Sequence, residues 1–250
     1  MVSLFNGVRS ALFNIAFFGM TALYCSLVML PLCLFTGEAA VRRGVYIYCR
    51  SSVVLARVLM GIRVEYRGLD NIPCDGAVIL AAAHQSNLDP IMTYLVRPDL
   101  SALAKKELFR LPVIGLIFKK MGVIKIDRQS GKAHRDMDVV AGEIHAGGRA
   151  LIVYPQATRV RPGDRRALKA GAYHLGRSAG LTVVPVATNS GLFWTRGFWH
   201  RPGHVVFEAL PPIDVTLDKD DFMARLRAAV VDRSEALMVE AGYGHVLPED

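Results

Sequence analysis

The chain has 250 residues, of which 52% are hydrophobic and 21% charged, with a formal net charge of +8 and a mean hydropathy of +0.30. That length buries one substantial core, and that much charge excludes a bundle of membrane spans. The basic balance favours anionic partners, but there is no zinc-finger spacing, basic leucine-zipper pattern or aromatic RNA-binding signature, so no nucleic-acid partner is expected.

In chain order, Ala11 to Phe35 comes first: 25 residues without a charge. It is long enough to cross a bilayer, and Pro31 is placed to kink it. It is too long for a signal peptide, and no small-x-small cleavage site follows. The next stretch is apolar, but Arg50 and Arg57 interrupt it seven residues apart, on one helical face, with Arg42, Arg43 and Arg63 flanking. This predicts a helix in the membrane interface with its arginines toward lipid phosphates. Two arrangements stay open: one span plus a surface helix, or a hairpin dipping into one leaflet. Arg9 on one side, against Arg42 and Arg43 on the other, puts the rest of the chain in the cytoplasm. The four cysteines, Cys25, Cys33, Cys49 and Cys74, form no C-x-x-C pair and read as buried free thiols.

Residues 61–250 alternate strand and helix behind an N-terminal unit of residues 1–60. Strands are predicted at 62–68, 77–83, 100–104, 123–126, 150–154, 182–188 and 205–210. Helices are predicted after Asp89-Pro90, at 133–146, at 171–179 and at 219–241, the last with Asp218 as cap and Gly242 past its end. The pattern predicts an α/β fold: a central, mostly parallel sheet flanked by helices, with an N-terminal helical membrane-anchoring segment.

Three stretches could carry chemistry. In "AAAHQSNLDP", His84 leaves a buried strand and Asp89 follows five residues later. One Asp89 oxygen would cap the helix at Pro90, and the other would accept from the imidazole. The opposite nitrogen is then free as a general base, a role that contributes about 10²–10⁴-fold in rate. The bland alternative is a turn histidine beside an ordinary N-cap. Ser86 lacks the nucleophile elbow of a serine hydrolase. In "LAKKELFRLPVIGLIFKKMGVIKIDR", Lys105 and Lys106 sit at a strand end. Leu108 to Phe118 would wall a lipid-chain site or form core, with periodicity favouring core, and Lys119 and Lys120 read as surface charges. In "ALIVYPQATRVRPGDRR", Pro155 ends a strand, and Arg159, Arg161, Arg165 and Arg166 crowd one loop: an anion site or a solvated basic loop. His200 and His204 are separated by Pro202 and Gly203, which argues against a metal-binding helix. His134, His145 and His174 read as surface or core positions.

The order His-x4-Asp, K-K-E-L with a downstream I-D-R, Y-P-x-x-T-R, then "VVPVA", behind an apolar N-terminus, resembles the 1-acylglycerol-3-phosphate acyltransferase family from about His84 to Pro212. The resemblance implies a membrane-bound transferase that moves a fatty acyl group from acyl-CoA or an acyl carrier protein to the hydroxyl of a lysophospholipid. It implies a place at the cell inner membrane with the catalytic unit facing the cytoplasm. His84 would be the base and Asp89 its orienting partner. Lys105 and Arg159 would hold the acceptor phosphate, with Arg128 in or near that site. Pro185 would lie toward the acyl donor or acyl chain, and Thr158 would shape the loop. No metal or redox cofactor is implied. The family loop reads F-P-E-G-T-R, whereas this chain has Tyr154-Pro155-Gln156-Ala157-Thr158-Arg159. Gln156 gives up a carboxylate and could lose a contact to the acceptor. Ala157 is strained if the family glycine needs a positive φ. The expected consequence is an altered acceptor preference. The alternatives are the same chemistry on lyso-ornithine lipid, another lysophospholipid or glycerol 3-phosphate, or a non-catalytic lipid-binding protein.

Overall fold

The computed structural model describes residues 4–126, 140, 142, 144 and 147–248, apart from the side chains of Lys105 and Ile126. Helix α1 (Leu4–Tyr24) continues through a π-helical turn (Cys25–Met29) into α2 (Leu30–Phe35). The expected kink at Pro31 is absorbed there. A proline cannot donate to the carbonyl four residues back, and the ladder widens just ahead of it, with Leu30 N bonding to Cys25 O. After the break at Thr36 and Gly37, α3 (Glu38–Leu55) runs back along α1. Tyr24 OH donates to Gly44 O at 2.9 Å, Thr21 and Tyr48 hydroxyls meet at 2.8 Å, and Arg9 Nε donates to Leu59 O at 2.8 Å.

The hairpin is tied to the rest of the molecule toward both of its ends. At one end Phe13 packs edge-on to Trp194 and His200. At the other, Lys120 Nζ donates to Thr36 O at 2.8 Å, so this lysine is tied to the hairpin and is no simple surface charge. Arg42, expected to face lipid, instead donates to the carbonyls of Pro98, Leu100 and Met121. The outer face stays apolar: Leu4, Val8, Leu12, Ile15, Leu23 and Leu27 are exposed at three- and four-residue steps with one gap. Residues Leu4–Phe35 form a helix long and apolar enough to cross a membrane. Arg43 and Arg50 on α3, and Arg57 in the π-helical turn that follows it (Ala56–Met60), are exposed as the spacing predicts. The cysteines are free, but only Cys33 and Cys49 are buried; Cys74 is exposed, in the turn before β2, where no core covers it.

The remainder is built on β1 (Ile62–Arg67), β2 (Val78–Ala82), β3 (Ser101–Lys105), β4 (Ile124–Ile126), β5 (Ala150–Val153), β6 (Val183–Thr188) and β7 (Gly203–Ala209). They form one sheet in the order β1-β7-β6-β2-β5-β3-β4. Every pairing is parallel except β6 with β7. Alternation along β2 divides the core. Val78, Leu80 and Ala82 face the hairpin and α4 (Leu88–Val96), while Ile79, Ala81 and Ala83 face α6 (Gly171–Ala179) and α7 (Lys219–Arg227). A π-helical turn (Ala228–Asp232) joins α7 to α8 (Arg233–Glu240). Asp218 Oδ1 accepts from Asp221 N at 2.9 Å as the expected cap, and Gly242 has the positive φ, 81°, of a helix terminator.

Between β3 and β4 the chain forms α5 (Ile114–Lys120), an element the periodicity did not separate. Of Leu108 to Phe118 only Gly115 is buried, so this stretch is not the core segment expected. Most of the helix predicted at 133–146 lies outside the described residues, as do His134 and His145.

Candidate active site

The chain moves from β2 outward to β3 and β4, returns to β5 beside β2, and crosses to β6 on the other side. β2 is therefore a topological switch point, and the loops after β2, β5 and β6 converge at its carboxyl end. Three separate stretches meet there.

The loop after β2 carries His84. Its Nδ1 lies 3.0 Å from Asp89 Oδ2, and the same oxygen accepts from the backbone N–H of Gln85 at 2.6 Å and of Ser86 at 2.8 Å. Asp89 Oδ1 accepts from the hydroxyls of Ser86, at 3.4 Å, and of Ser190. This corrects the expected cap. The helix begins at Leu88, so Asp89 sits inside its first turn and folds back over the loop. Ser86 Oγ takes the capping part by accepting from Leu88 N at 2.9 Å. Ser86 is fully buried and its hydroxyl is committed on both sides, which leaves it no part as a nucleophile. Nε2 of His84 has no partner among the described residues, and the side chain keeps 18% exposure, so the open nitrogen faces the accessible side.

The loop after β5 braces the histidine from behind. The Tyr154 ring stacks on the imidazole with centroids 3.9 Å apart and planes 19° from parallel. Its hydroxyl is buried with no partner among the described residues, and burial pushes its pKa well up, so it stays protonated. Gln156 is buried, and its Oε1 accepts from His84 N at 2.7 Å. Its amide oxygen is thereby engaged with the backbone of His84. Ala157 has φ 58°, the left-handed conformation that disfavours a Cβ, and its N–H closes the turn onto Tyr154 O at 2.9 Å. Thr158 is exposed at the tip. Arg159 Nη1 donates to Asn87 Oδ1 at 2.5 Å, which brings its guanidinium beside the dyad loop.

The third stretch follows β6. Ser190 supplies the donor to Asp89, Gly191 N donates to Gln85 Oε1 at 3.1 Å, and Arg196 Nη1 donates to Arg159 O at 2.8 Å. Asn87, Ser190 and Arg196 escape a sequence reading, since each acts through a partner far away in the chain. His200, from the same stretch, is buried against α1 with Nε2 3.1 Å from Asn14 Oδ1, and burial pushes its pKa down to about 4. His204 is exposed on β7, so the two histidines share no site.

The other expected site residues are Lys105, Arg128 and Pro185. Lys105 closes β3 at the same edge of the sheet; its side chain, like Arg128 as a whole, lies outside the described residues. Pro185 is buried in β6, level with Ala81 of β2. A central strand tolerates a proline here because β7 has just ended. Leu210 N donates to Pro185 O at 2.9 Å, and the chain returns to β6 only at the Val183–Ile213 bridge. Among the described residues no three of His, Cys, Asp and Glu converge as they would around a metal ion.

Comparison with known proteins finds relatives of this chain. The 1-acyl-sn-glycerol-3-phosphate acyltransferase of Pseudomonas aeruginosa is 34% identical over 160 residues, which cover 63% of this chain and 62% of that protein. The chain thus spans a little under two thirds of that relative's length. The enzyme of the same name from Haemophilus influenzae is 32% identical over 191 residues, covering 73% of this chain and 77% of that protein. The crystal structure of the 1-acyl-sn-glycerophosphate (LPA) acyltransferase PlsC from Thermotoga maritima superposes with a TM-score of 0.74 at 19% identity, covering 93% of this chain and 97% of that one, which shows the shared fold. The acyltransferase family model matches residues 63–189, from β1 to the end of β6. The chain belongs to the acyltransferase family.

Proposed function

We propose that this chain transfers a fatty acyl group from an acyl thioester to the free hydroxyl of 1-acylglycerol-3-phosphate, forming phosphatidic acid. The observation that carries the reading is the pairing of an open His84 Nε2, set by Asp89 on the other ring nitrogen, with an arginine tied to the same loop. His84 Nε2 takes the proton from the acceptor hydroxyl as its oxygen attacks the thioester carbonyl. The tetrahedral carbon collapses, the carbon–sulfur bond breaks, and the leaving thiolate takes the proton back from the imidazolium. Asp89 keeps the ring oriented and balances the charge on it. Arg159, with Lys105 and Arg128, holds the acceptor phosphate beside the base. The hairpin seats the protein on the membrane through its exposed apolar face, with the sheet on the cytoplasmic side, so that an acceptor resident in the bilayer reaches the cleft.

The test is an acyl-transfer assay on the purified full-length chain, crossing lysophosphatidic acid and other lysolipids with acyl-CoA and acyl carrier protein donors. Transfer to lysophosphatidic acid that His84→Ala abolishes is the expected result. Equal transfer by both proteins removes the catalytic reading. A second acceptor is favoured by Ala157 and Gln156, which depart from the family loop right beside His84. Gln156→Glu keeps the oxygen that receives His84 N but adds charge there. Relative rates among acceptors that shift with this change support the second reading, and identical acceptor profiles remove it.

A further inference from the structure

Behind the dyad loop lies a second cleft of about 300 Å³. Its floor belongs to the site already described. Gln85, next to His84, and Gly191, next to Ser190, both line it, and Val160, whose N–H donates to His84 O at 2.7 Å, lines it too. Its rim is cationic. Arg161, Arg196 and Arg201 all reach it, all three are exposed, and no acidic residue among the described residues lines it. Arg196 gives one nitrogen to Arg159 O. The guanidinium groups of Arg161 and Arg201 have no partner among the described residues. Three like charges around one small cleft repel one another, and a bound anion removes that repulsion.

The acceptor phosphate does not account for these arginines. Arg159, the arginine that faces the dyad loop, is turned to Asn87 and is not part of this rim. The acyl-transfer reading requires a second anion, because a soluble thioester donor carries phosphate on its pantetheine arm. Resting on that reading, we infer that the Arg161–Arg196–Arg201 cleft receives the phosphorylated pantetheine arm of the acyl donor. Guanidinium forks match phosphate oxygens in pairs. Leu192 and Val246, which line the cleft between the arginines, suit the weakly polar stem that leads from the phosphate to the thioester. Donor and acceptor phosphates are then held by different arginines, so that the two substrates do not compete for one cation.

The experiment uses the full-length protein in nanodiscs, with Arg161→Gln, Arg201→Gln and the double substitution. Arg196 is left alone because it also holds the Arg159 carbonyl. Calorimetric titration with coenzyme A reads the cleft without turnover, and the double variant should bind it about tenfold or more weakly. In steady state the donor KM should rise about tenfold while the KM for lysophosphatidic acid stays within about twofold. Acyl-CoA and an acyl carrier protein donor are run in parallel, and a rise for one of them alone supports the cleft and names the carrier that fills it. Unchanged coenzyme A affinity together with unchanged donor KM overturns the inference, as does a rise confined to the acceptor KM. Arginine-dependent coenzyme A binding in a protein that acylates no acceptor would sink the proposed reaction while leaving the cleft standing. His84-dependent transfer insensitive to both substitutions would do the reverse.

Discussion

In the loop after β2, one buried carboxylate, Asp89, accepts from an imidazole, two backbone N–H groups and two hydroxyls. In the loop after β5, the tip is exposed, Ala157 sits at φ 58°, and Arg159 is secured by one side-chain bond to Asn87 and one to its carbonyl from Arg196. The first loop is over-determined and the second lightly held. A general base needs one geometry, because a small misplacement of the reacting atoms is costly in rate. A grip on a phosphate works over a wider range of positions, since charge attraction falls off slowly with distance. The rigid loop therefore suits the chemistry and the lighter one suits acceptor recognition, and tolerance of sequence change should divide in the same way.

Substitutions test that division. His84→Ala should lower kcat by about 10³-fold with little change in thermal stability, as measured by acyl transfer alongside a melting curve. A loss below tenfold would break the assignment of the rigid loop to chemistry. Arg159→Ala should act mainly on the acceptor, raising its KM roughly ten- to a hundredfold with a smaller fall in kcat. A fall in kcat alone would place this arginine in the chemical step and erase the contrast. Ser190→Ala removes one of the two hydroxyl donors to Asp89 Oδ1. The expected result is a fall of about fivefold in kcat together with a displaced pH–rate profile, and Ser190→Thr should restore both in part. A change in thermal stability with the profile unmoved would make Ser190 merely structural. Ala157→Gly should have the smallest effect. Relief of the left-handed strain, partly offset by the freer unfolded chain, leaves a gain of about 0.5–1 kcal/mol and a melting point raised by about 2 °C. A lower melting point would show that the lightly held loop carries no strain at this residue.

The positions of the strands along the chain and the His84–Asp89 pair were legible in the sequence because both are local. Apolar runs of strand length bounded by turns announce β2, β5 and β6, and five residues separate the two members of the dyad. The positive φ at Ala157 could also be anticipated, because a glycine was expected there. What the sequence did not reveal depends on topology. Ser190 lies 101 residues beyond Asp89 and reaches it only because β6 lands beside β2. The cap was misplaced because Asp-Pro signals a helix start so strongly, whereas Ser86, three residues earlier, took the exposed N–H of Leu88. Arg42 read as a lipid-facing charge until α3 folded back and gave it three carbonyls to bind. Neighbours of this kind are fixed by the path of the chain through the sheet, which no short window of sequence contains.

The stretch from Ser190 to Arg201 bears on how such an enzyme could be handled in the laboratory. Its first residue holds Asp89, Trp194 and His200 lean on Phe13, and Arg196 holds the loop of Arg159. Cutting away the N-terminal hairpin to obtain a water-soluble fragment would uncover Trp194 and His200, and would loosen a segment that touches both Asp89 and Arg159. Exchanging exposed side chains such as Leu12 and Ile15 for polar ones leaves that inner seam closed. Solubilising this protein is thus better approached by repainting its outer face than by shortening the chain.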